Sequence, residues 1–373
     1  MNQKVLQIGM HTDAAAGGAD RYACELSAAL SVDGWTVSAT GFTLEGSPDD
    51  TQIESLGNAG DPLRKRLRAI RERVANTPHD HLITAHFALY ALPLVQMRRR
   101  FLMHFHGPWA AEAAQGGAAM WVVWMKRRME RWVYQRATHV ITLSEAFRSV
   151  LIKDYGVLPE RISVIPGGVD FPRFASGIAR ASARRELGWP EEGPLILSVR
   201  RLTRRMGLEQ ALSAFGSLVR EGLPGTLVLG GTGELGARLK LMRDQKGLQN
   251  RVLLPGFISE DDLPRAFRAA DFSLMPSQAL EGFGLTVLES LASGTPVLVT
   301  PVGGMPEVIR PFAPEWVLEG PATAALEKGM RAAMTRTLPI PDEAACRAYA
   351  ARFSWDRIAR QVGAVYRTME SKE

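Results

Sequence analysis

The sequence predicts an α/β protein built from two tandem, doubly wound domains. Short runs rich in Val, Ile and Leu alternate with amphipathic stretches along most of the chain, as strands do when helices cover both faces of a parallel sheet. A length of 373 residues exceeds what a single core usually organises. The alternation also pauses once, at Pro166-Gly167-Gly168-Val169-Asp170-Phe171-Pro172, before restarting at Leu195.

In the first half, strands are predicted at Val5 to Met10, Thr36 to Gly41, Leu82 to Ala85, Phe101 to Phe105, His139 to Leu143 and Ser163 to Ile165. Helices fill the gaps, Ala19 to Ser31 among them. In the second half, strands are predicted at Leu195 to Val199, Thr226 to Leu229, Val252 to Leu254, Phe272 to Met275 and Val297 to Thr300. The linker falls near residue 170, giving Rossmann-like domains over residues 1–170 and 171–353. A last helix, capped by Ser354, occupies residues 354–373, and periodicity does not say what it packs on.

With 46% hydrophobic and 23% charged residues, the composition is that of soluble globular material. Met-Asn-Gln-Lys and the strand after it offer no apolar core of signal-peptide length, so no export is expected. The apolar run Ala118 to Met125 is far short of the roughly 20 residues that span a bilayer. Cys24 and Cys346 suggest neither a metal site nor a disulfide framework and suit a reducing cytoplasm.

The net charge of +6 is unevenly placed. Arg64 to Arg136 holds fourteen Lys or Arg against four Asp or Glu, which leaves the remainder of the chain at −4. Within that region lie Arg98-Arg99-Arg100 and the stretch Trp121 to Trp132, where aromatic residues and cations recur at helical spacing. Two readings stand open: an interfacial helix on an anionic membrane surface, or an amphipathic helix with its tryptophans in the core. No helix-turn-helix, zinc-finger or ribonucleoprotein signature accompanies the charge, so no nucleic-acid partner is expected.

In open α/β sheets ligands bind beyond the carboxyl ends of strands, and four loops there carry unusual residues. Ala14-Ala15-Ala16-Gly17-Gly18 follows the first strand and opens a helix, where backbone N–H groups suit an anion. His106 ends the strand Phe101 to Phe105, followed by Gly107-Pro108, a turn that fixes an imidazole for hydrogen bonding or proton sharing. Arg200-Arg201-Leu202-Thr203-Arg204-Arg205-Met206-Gly207 gathers four arginines at a strand end, and guanidinium groups suit a diphosphate. Glu281-Gly282-Phe283-Gly284-Leu285-Thr286-Val287-Leu288-Glu289 places glycines at a helix start and carboxylates on loop and helix, acceptors for sugar hydroxyls. By contrast, Gly231-Thr-Gly233-Glu-Leu-Gly236 matches a dinucleotide fingerprint only formally. The next strand ends in Pro255-Gly256-Phe257 with no acid for a ribose, and the motif is not in the first turn of its domain.

Together these segments resemble the retaining glycosyltransferase family 4, of GT-B fold, along nearly the whole chain. The most specific part is Glu281 and Glu289 with seven residues between, enclosing Phe283-Gly284 and followed by Gly294-Thr-Pro-Val. Also similar are Gly17-Gly18-Ala19-Asp20-Arg21-Tyr22, His106-Gly107, Ser144-Glu145, Pro166 to Asp170, Arg201-Leu202 and Gly303-Gly304-x-Pro306-Glu307. The resemblance implies a nucleotide-sugar donor on the second domain, an acceptor on the first, a cleft between them, retention by front-face attack, and no metal or other cofactor. It makes His106, Glu281 and Arg201 the candidate catalytic residues, with Arg201 at the diphosphate, Glu281 at the sugar hydroxyls and Glu289 at the ribose. The implied donor-binding set is Gly17, Gly18, Arg201, Arg205, Gly233, Phe257, Glu281, Gly282, Phe283, Gly284, Leu285 and Glu289. It also implies that the last helix crosses back onto the first domain.

One departure stands out. The family often has a Lys five residues after the arginine matching Arg201, and here that residue is Met206. Arg204 or Arg205 is the expected replacement for its charge. The expected function is transfer of a sugar from a UDP- or GDP-linked donor to a saccharide or lipid-linked saccharide in cell-envelope or exopolysaccharide synthesis. The expected place is the cytoplasm, with a peripheral seat on the membrane's cytoplasmic face if the basic segment docks there. A GT-B nucleotide-sugar epimerase and a non-catalytic sugar-nucleotide or membrane-binding protein are the alternatives.

Overall fold

The structure, a computed structural model, describes residues 3–13, 17–46 and 53–370. Internal contacts divide the chain into two units, Met1–Gly168 with Trp355–Glu373, and Val169–Ser354.

In the first unit, strands β1 (Lys4–His11), β2 (Thr36–Thr43), β3 (Glu54–Asn58), β4 (Leu82–Ala85), β5 (Leu102–Phe105), β6 (His139–Thr142) and β7 (Ile162–Val164) form one sheet. Their order is β3-β2-β1-β4-β5-β6-β7, and every pairing is parallel. The strands Val5–Met10 and Leu82–Ala85 are legible because their side chains are buried on both faces, which produces continuous apolar runs. Strand β3 was not expected. Its sequence, ESLGN, is polar and half exposed at the sheet edge, so it carries no apolar run for pattern reading to find. Strand order reverses between β1 and β4, which places the loops after these two strands side by side.

The Gly18–Val32 helix leaves β1, and Asp20 in its first turn accepts from the His11 backbone N–H at 3.0 Å. The last helix, Trp355–Glu370, packs against this first one. Tyr366 meets Trp35 edge to face with ring centroids 5.4 Å apart, and a Cβ on Gly168 would stand 2.4 Å from the Trp355 ring. Between sheet and helices, Leu6, Ile8, Ile83, Met103, Phe105 and Val140 are fully buried, each contributing roughly 1.5–3 kcal/mol of hydrophobic stabilisation.

The second unit repeats the plan with β8 (Leu195–Val199), β9 (Thr226–Gly230), β10 (Val252–Gly256), β11 (Phe272–Met275) and β12 (Val297–Val299), ordered β10-β9-β8-β11-β12. All of its pairings are parallel. The reversal here lies between β8 and β11. Among the described residues, no helix is long and apolar enough to cross a membrane.

Candidate functional site

Each sheet brings chemistry to its own reversal point. In the second unit, β8 is followed by Arg200 and Arg201, and neighbouring residues of an extended chain point to opposite sides. Arg200 turns inward and is 7% exposed, whereas Arg201 is exposed and has no carboxylate partner among the described residues. The Arg200 guanidinium donates through Nη2 to Ser277 Oγ at 2.8 Å and to Glu281 Oε2, and through Nη1 to Thr286 Oγ1 at 3.3 Å. Ser277 in turn donates to Glu281 Oε2 at 3.0 Å. Two sulfurs complete the surroundings, Met206 Sδ at 3.1 Å and Met275 Sδ at 3.4 Å.

The loop that delivers Glu281 is held by backbone geometry. Leu280 adopts φ 57, a left-handed conformation that costs a branched residue on the order of 1 kcal/mol, and Arg205 Nη1 donates to its carbonyl at 3.0 Å. The Gly304 N–H donates to the Glu281 carbonyl at 3.0 Å, and a Cβ on Gly303 would lie 1.7 Å from that same oxygen. The Gly303-Gly304 pair is therefore the backbone seat of Glu281. Gly284, at φ 83, starts the Leu285–Ala292 helix, and no side chain caps its first turn, so the N–H groups there remain suited to an anion. Glu289 lies on this helix and is 4% exposed, while Phe283 is buried and meets Phe353 at 6.3 Å. Gly282 and Leu285 are half-buried beside them.

Gly231 and Gly233, from the formal dinucleotide pattern, have a packing reason. Their Cβ atoms would come within 1.9 Å of the Arg200 carbonyl and 2.6 Å of the Leu202 carbonyl. The turn that carries the arginines rests directly on them. Phe257 is exposed at the end of β10, two strands away from β8.

In the first unit, the reversal point collects imidazoles. His86 follows β4, and His104 and His106 lie on one face of β5 and its end. The His86 and His104 rings stack with centroids 4.5 Å apart, and His86 and His106 do so at 5.3 Å. His86 Nδ1 and His106 Nε2 share a hydrogen bond of 3.0 Å, and His104 Nε2 and Tyr366 Oη share one of 2.7 Å. Burial pushes the His106 imidazole down to about 4. Burial, then the neighbouring imidazoles, holds His86 and His104 well below the usual histidine range. All three are neutral at pH 7.

Next to them, buried Glu130 accepts from the Trp109 and Ala110 N–H groups at 2.8 and 3.1 Å and from the Tyr155 and Tyr134 hydroxyls at 2.9 and 3.2 Å. It fixes the helix that starts after His106-Gly107-Pro108. Burial raises its carboxyl above the usual range despite those four donors. Gly17 is extended at φ 170, and a Cβ on Gly18 would meet nothing within 4 Å, so packing does not account for glycine at position 18. Ala14 to Ala16 lie outside the described residues.

The segments singled out in the sequence contain Arg200, Arg201, Arg205, Glu281, Thr286, Glu289 and His106, and the structure sets beside them Ser277, His86, His104 and Tyr366, which no motif marked. A signal existed for the histidines, since three of the seven in the chain fall at positions 86, 104 and 106, in or just after two consecutive predicted strands. Among the described residues, no group of three or more His, Cys, Asp or Glu is disposed to hold a metal ion.

Residues 179–353 match the family model of glycosyl transferases group 1, and residues 16–173 match that of glycosyltransferase family 4. A D-inositol 3-phosphate glycosyltransferase of Acidothermus cellulolyticus is 32% identical over 63% of this chain and 54% of its own length. The chain spans about half the length of the curated relatives it matches. Among solved structures, sucrose-phosphate synthase from Thermosynechococcus elongatus superposes with a TM-score of 0.81 at 24% identity, covering 100% of both chains. Anabaena HepE in complex with UDP-glucose gives 0.79 at 21% identity, over 98% of this chain and 100% of that one. The chain is a GT-B-fold relative of the group 1 and family 4 glycosyltransferases.

Proposed function

We propose that this protein is a retaining, metal-independent glycosyltransferase that moves a sugar from a UDP- or GDP-linked donor to an acceptor hydroxyl. The observation that carries this reading is the β8–β11 reversal point. It combines a carboxylate seated by two glycines, buried and exposed arginines, and an uncapped helix start within one unit. A diphosphate leaving group gains from cations and N–H groups that are fixed before reaction, which is how preorganised electrostatics lowers a barrier. Glu281 is the group for the sugar hydroxyls, Glu289 for the ribose, Arg201 for the diphosphate, and His106 the sugar-side contribution of the first unit. UDP-glucose, the ligand of the HepE structure, is the first donor to try. Incubation with radiolabelled donor and a panel of saccharides should release nucleoside diphosphate together with a glycoside. An isomerised donor would instead establish the epimerase.

The acceptor is a lipid-linked or cell-envelope saccharide, and the Met120–Tyr134 helix supports that choice. Its tryptophans are not in the core. Trp121 is 64% exposed, Trp124 60% and Trp132 37%, while Glu130, Val133 and Tyr134 form the buried side. Positions 121, 124, 125, 128 and 132 fall on one helical stripe. The Arg128 guanidinium lies over the Trp124 ring at 5.6 Å and that of Arg136 over Trp132 at 4.9 Å. Aromatic rings with attached cations suit the boundary of an anionic bilayer. The Arg98–Arg100 cluster contributes less, because Arg99 donates to the Pro78 carbonyl and Arg100 to that of Met369. Flotation with anionic vesicles should recover the protein, and Trp121→Ala with Trp124→Ala should abolish recovery. Equal recovery on neutral vesicles would count against this seat.

A further inference from the structure

The arginine-rich turn after β8 leaves one question open in the sequence, which is where the cation missing at Met206 has gone. Arg204 and Arg205 were the expected substitutes. Arg205 is turned to the carbonyl of Leu280, and Arg204 is exposed on the turn. The guanidinium that touches Met206 is that of Arg200, six residues earlier, with Nη2 at 3.1 Å from the Met206 sulfur.

We propose that Arg200 is a second cation that grips the donor diphosphate beside Arg201, occupying in space the place vacated by the lysine that Met206 replaces. The inference rests on the glycosyltransferase reading and adds a residue that the sequence motif does not mark. Three features support it. Arg200 stands at the end of β8, at the reversal of strand order, where ligands of open α/β sheets bind. Its guanidinium is held by Ser277, Thr286 and Glu281, so its position is set before any ligand arrives. It also has five N–H donors in a rigid fork, so phosphate oxygens can take over the weak contacts now made to the Met206 and Met275 sulfurs while the bond to Glu281 is kept. Lysine could not do this from position 200, because a point charge on a flexible stem would satisfy Glu281 or the phosphate but not both in fixed geometry. Met206 follows from the same arrangement. A second cation within reach of the buried Arg200 guanidinium would be repelled, whereas a polarisable thioether packs against it.

A purely structural ion pair would show the same contacts, so the test moves the charge rather than only removing it. Binding of UDP, GDP and UMP is measured by calorimetry on the full chain as wild type, R200A, M206K and R200A/M206K. R200A is expected to weaken the preferred nucleoside diphosphate at least tenfold and UMP by less than threefold. R200A/M206K is expected to recover most of that loss, and M206K alone to bind no better than wild type. Wild-type affinity in R200A, or a folded double variant no tighter than R200A, overturns the assignment. If R200A does not fold, R200Q and R200Q/M206K replace it, since glutamine keeps a donor for Ser277 and Glu281, and the same outcomes decide. A wild-type chain that binds neither UDP nor GDP overturns the donor reading itself. Binding by wild type and R200A alike removes Arg200 alone.

Discussion

The two sheets reverse strand order in the same way, between β1 and β4 and between β8 and β11, yet they put opposite kinds of chemistry at the reversal. The first collects three stacked imidazoles with Tyr366 and with Tyr22, whose ring lies 5.0 Å from that of His106, all buried and neutral at pH 7. The second buries a guanidinium–carboxylate pair among hydroxyls and thioethers. The difference shows what topology supplies and what it leaves to side chains. The reversal fixes where a ligand can reach strand ends, while the residues on those ends decide what is recognised. A neutral network distinguishes hydrogen-bond patterns such as those of sugar hydroxyls. A charged one recognises an anion.

The comparison breaks most sharply at Glu281. Removing one partner of a buried ion pair leaves the other uncompensated and costs about 3–5 kcal/mol. Glu281→Ala should therefore lower the melting temperature as well as reduce sugar transfer by orders of magnitude. Glu281→Gln keeps an acceptor for Arg200 and Ser277, so its activity loss should come with a smaller shift in melting. A wild-type melting curve for Glu281→Ala would mean that the pair does not hold the loop.

The neutral reversal point should reveal itself through pH. An unfolded imidazole titrates near 6.5, whereas that of His106 in the folded protein does so at about 4. Between those values the unfolded chain takes up a proton that the folded chain refuses, so stability is retained above 6.5 and lost as pH falls toward 4. Each such group contributes up to about 1.4 kcal/mol per pH unit. His106→Asn should flatten the dependence of melting temperature on pH across this window relative to wild type. An unchanged slope would show that His106 is already charged or exposed in solution.

How much of this was legible depends on the period of each feature. Strands buried on both faces, such as Leu195–Val199 and Phe272–Met275, appear as unbroken apolar runs and were located to the residue. Strand β3 has polar side chains at an edge and left no such mark. Glu281 was legible because the glycines around it must adopt conformations or approaches closed to other residues, Gly284 at φ 83 among them. Arg200 and Arg201 are adjacent and chemically identical, and only their position relative to the sheet separates the buried one from the exposed one. Similarly, the tryptophans of Met120–Tyr134 lie on a helix whose buried side is set by Glu130, a charged residue that pattern reading assigns to solvent. Its four hydrogen bonds come from segments as far away as Tyr155, which local sequence does not reveal.

The smallest effect expected is at Tyr366, on the last helix, and it tests whether the neutral network is as interdependent as the charged one. Its hydroxyl and His104 Nε2 share a 2.7 Å hydrogen bond between uncharged groups. Such a bond contributes about 1 kcal/mol net, against roughly 1.5–3 kcal/mol for bonds to charged groups. Tyr366→Phe retains the ring that packs on Trp35, so the hydroxyl alone is removed. The variant should melt only slightly below wild type at pH 8, and the two should differ by the same amount at pH 7, where His104 is still neutral. A loss comparable to that of Glu281→Ala would show that the imidazoles depend on one another through Tyr366, and the contrast between the two reversal points would then be one of charge but not of cooperativity.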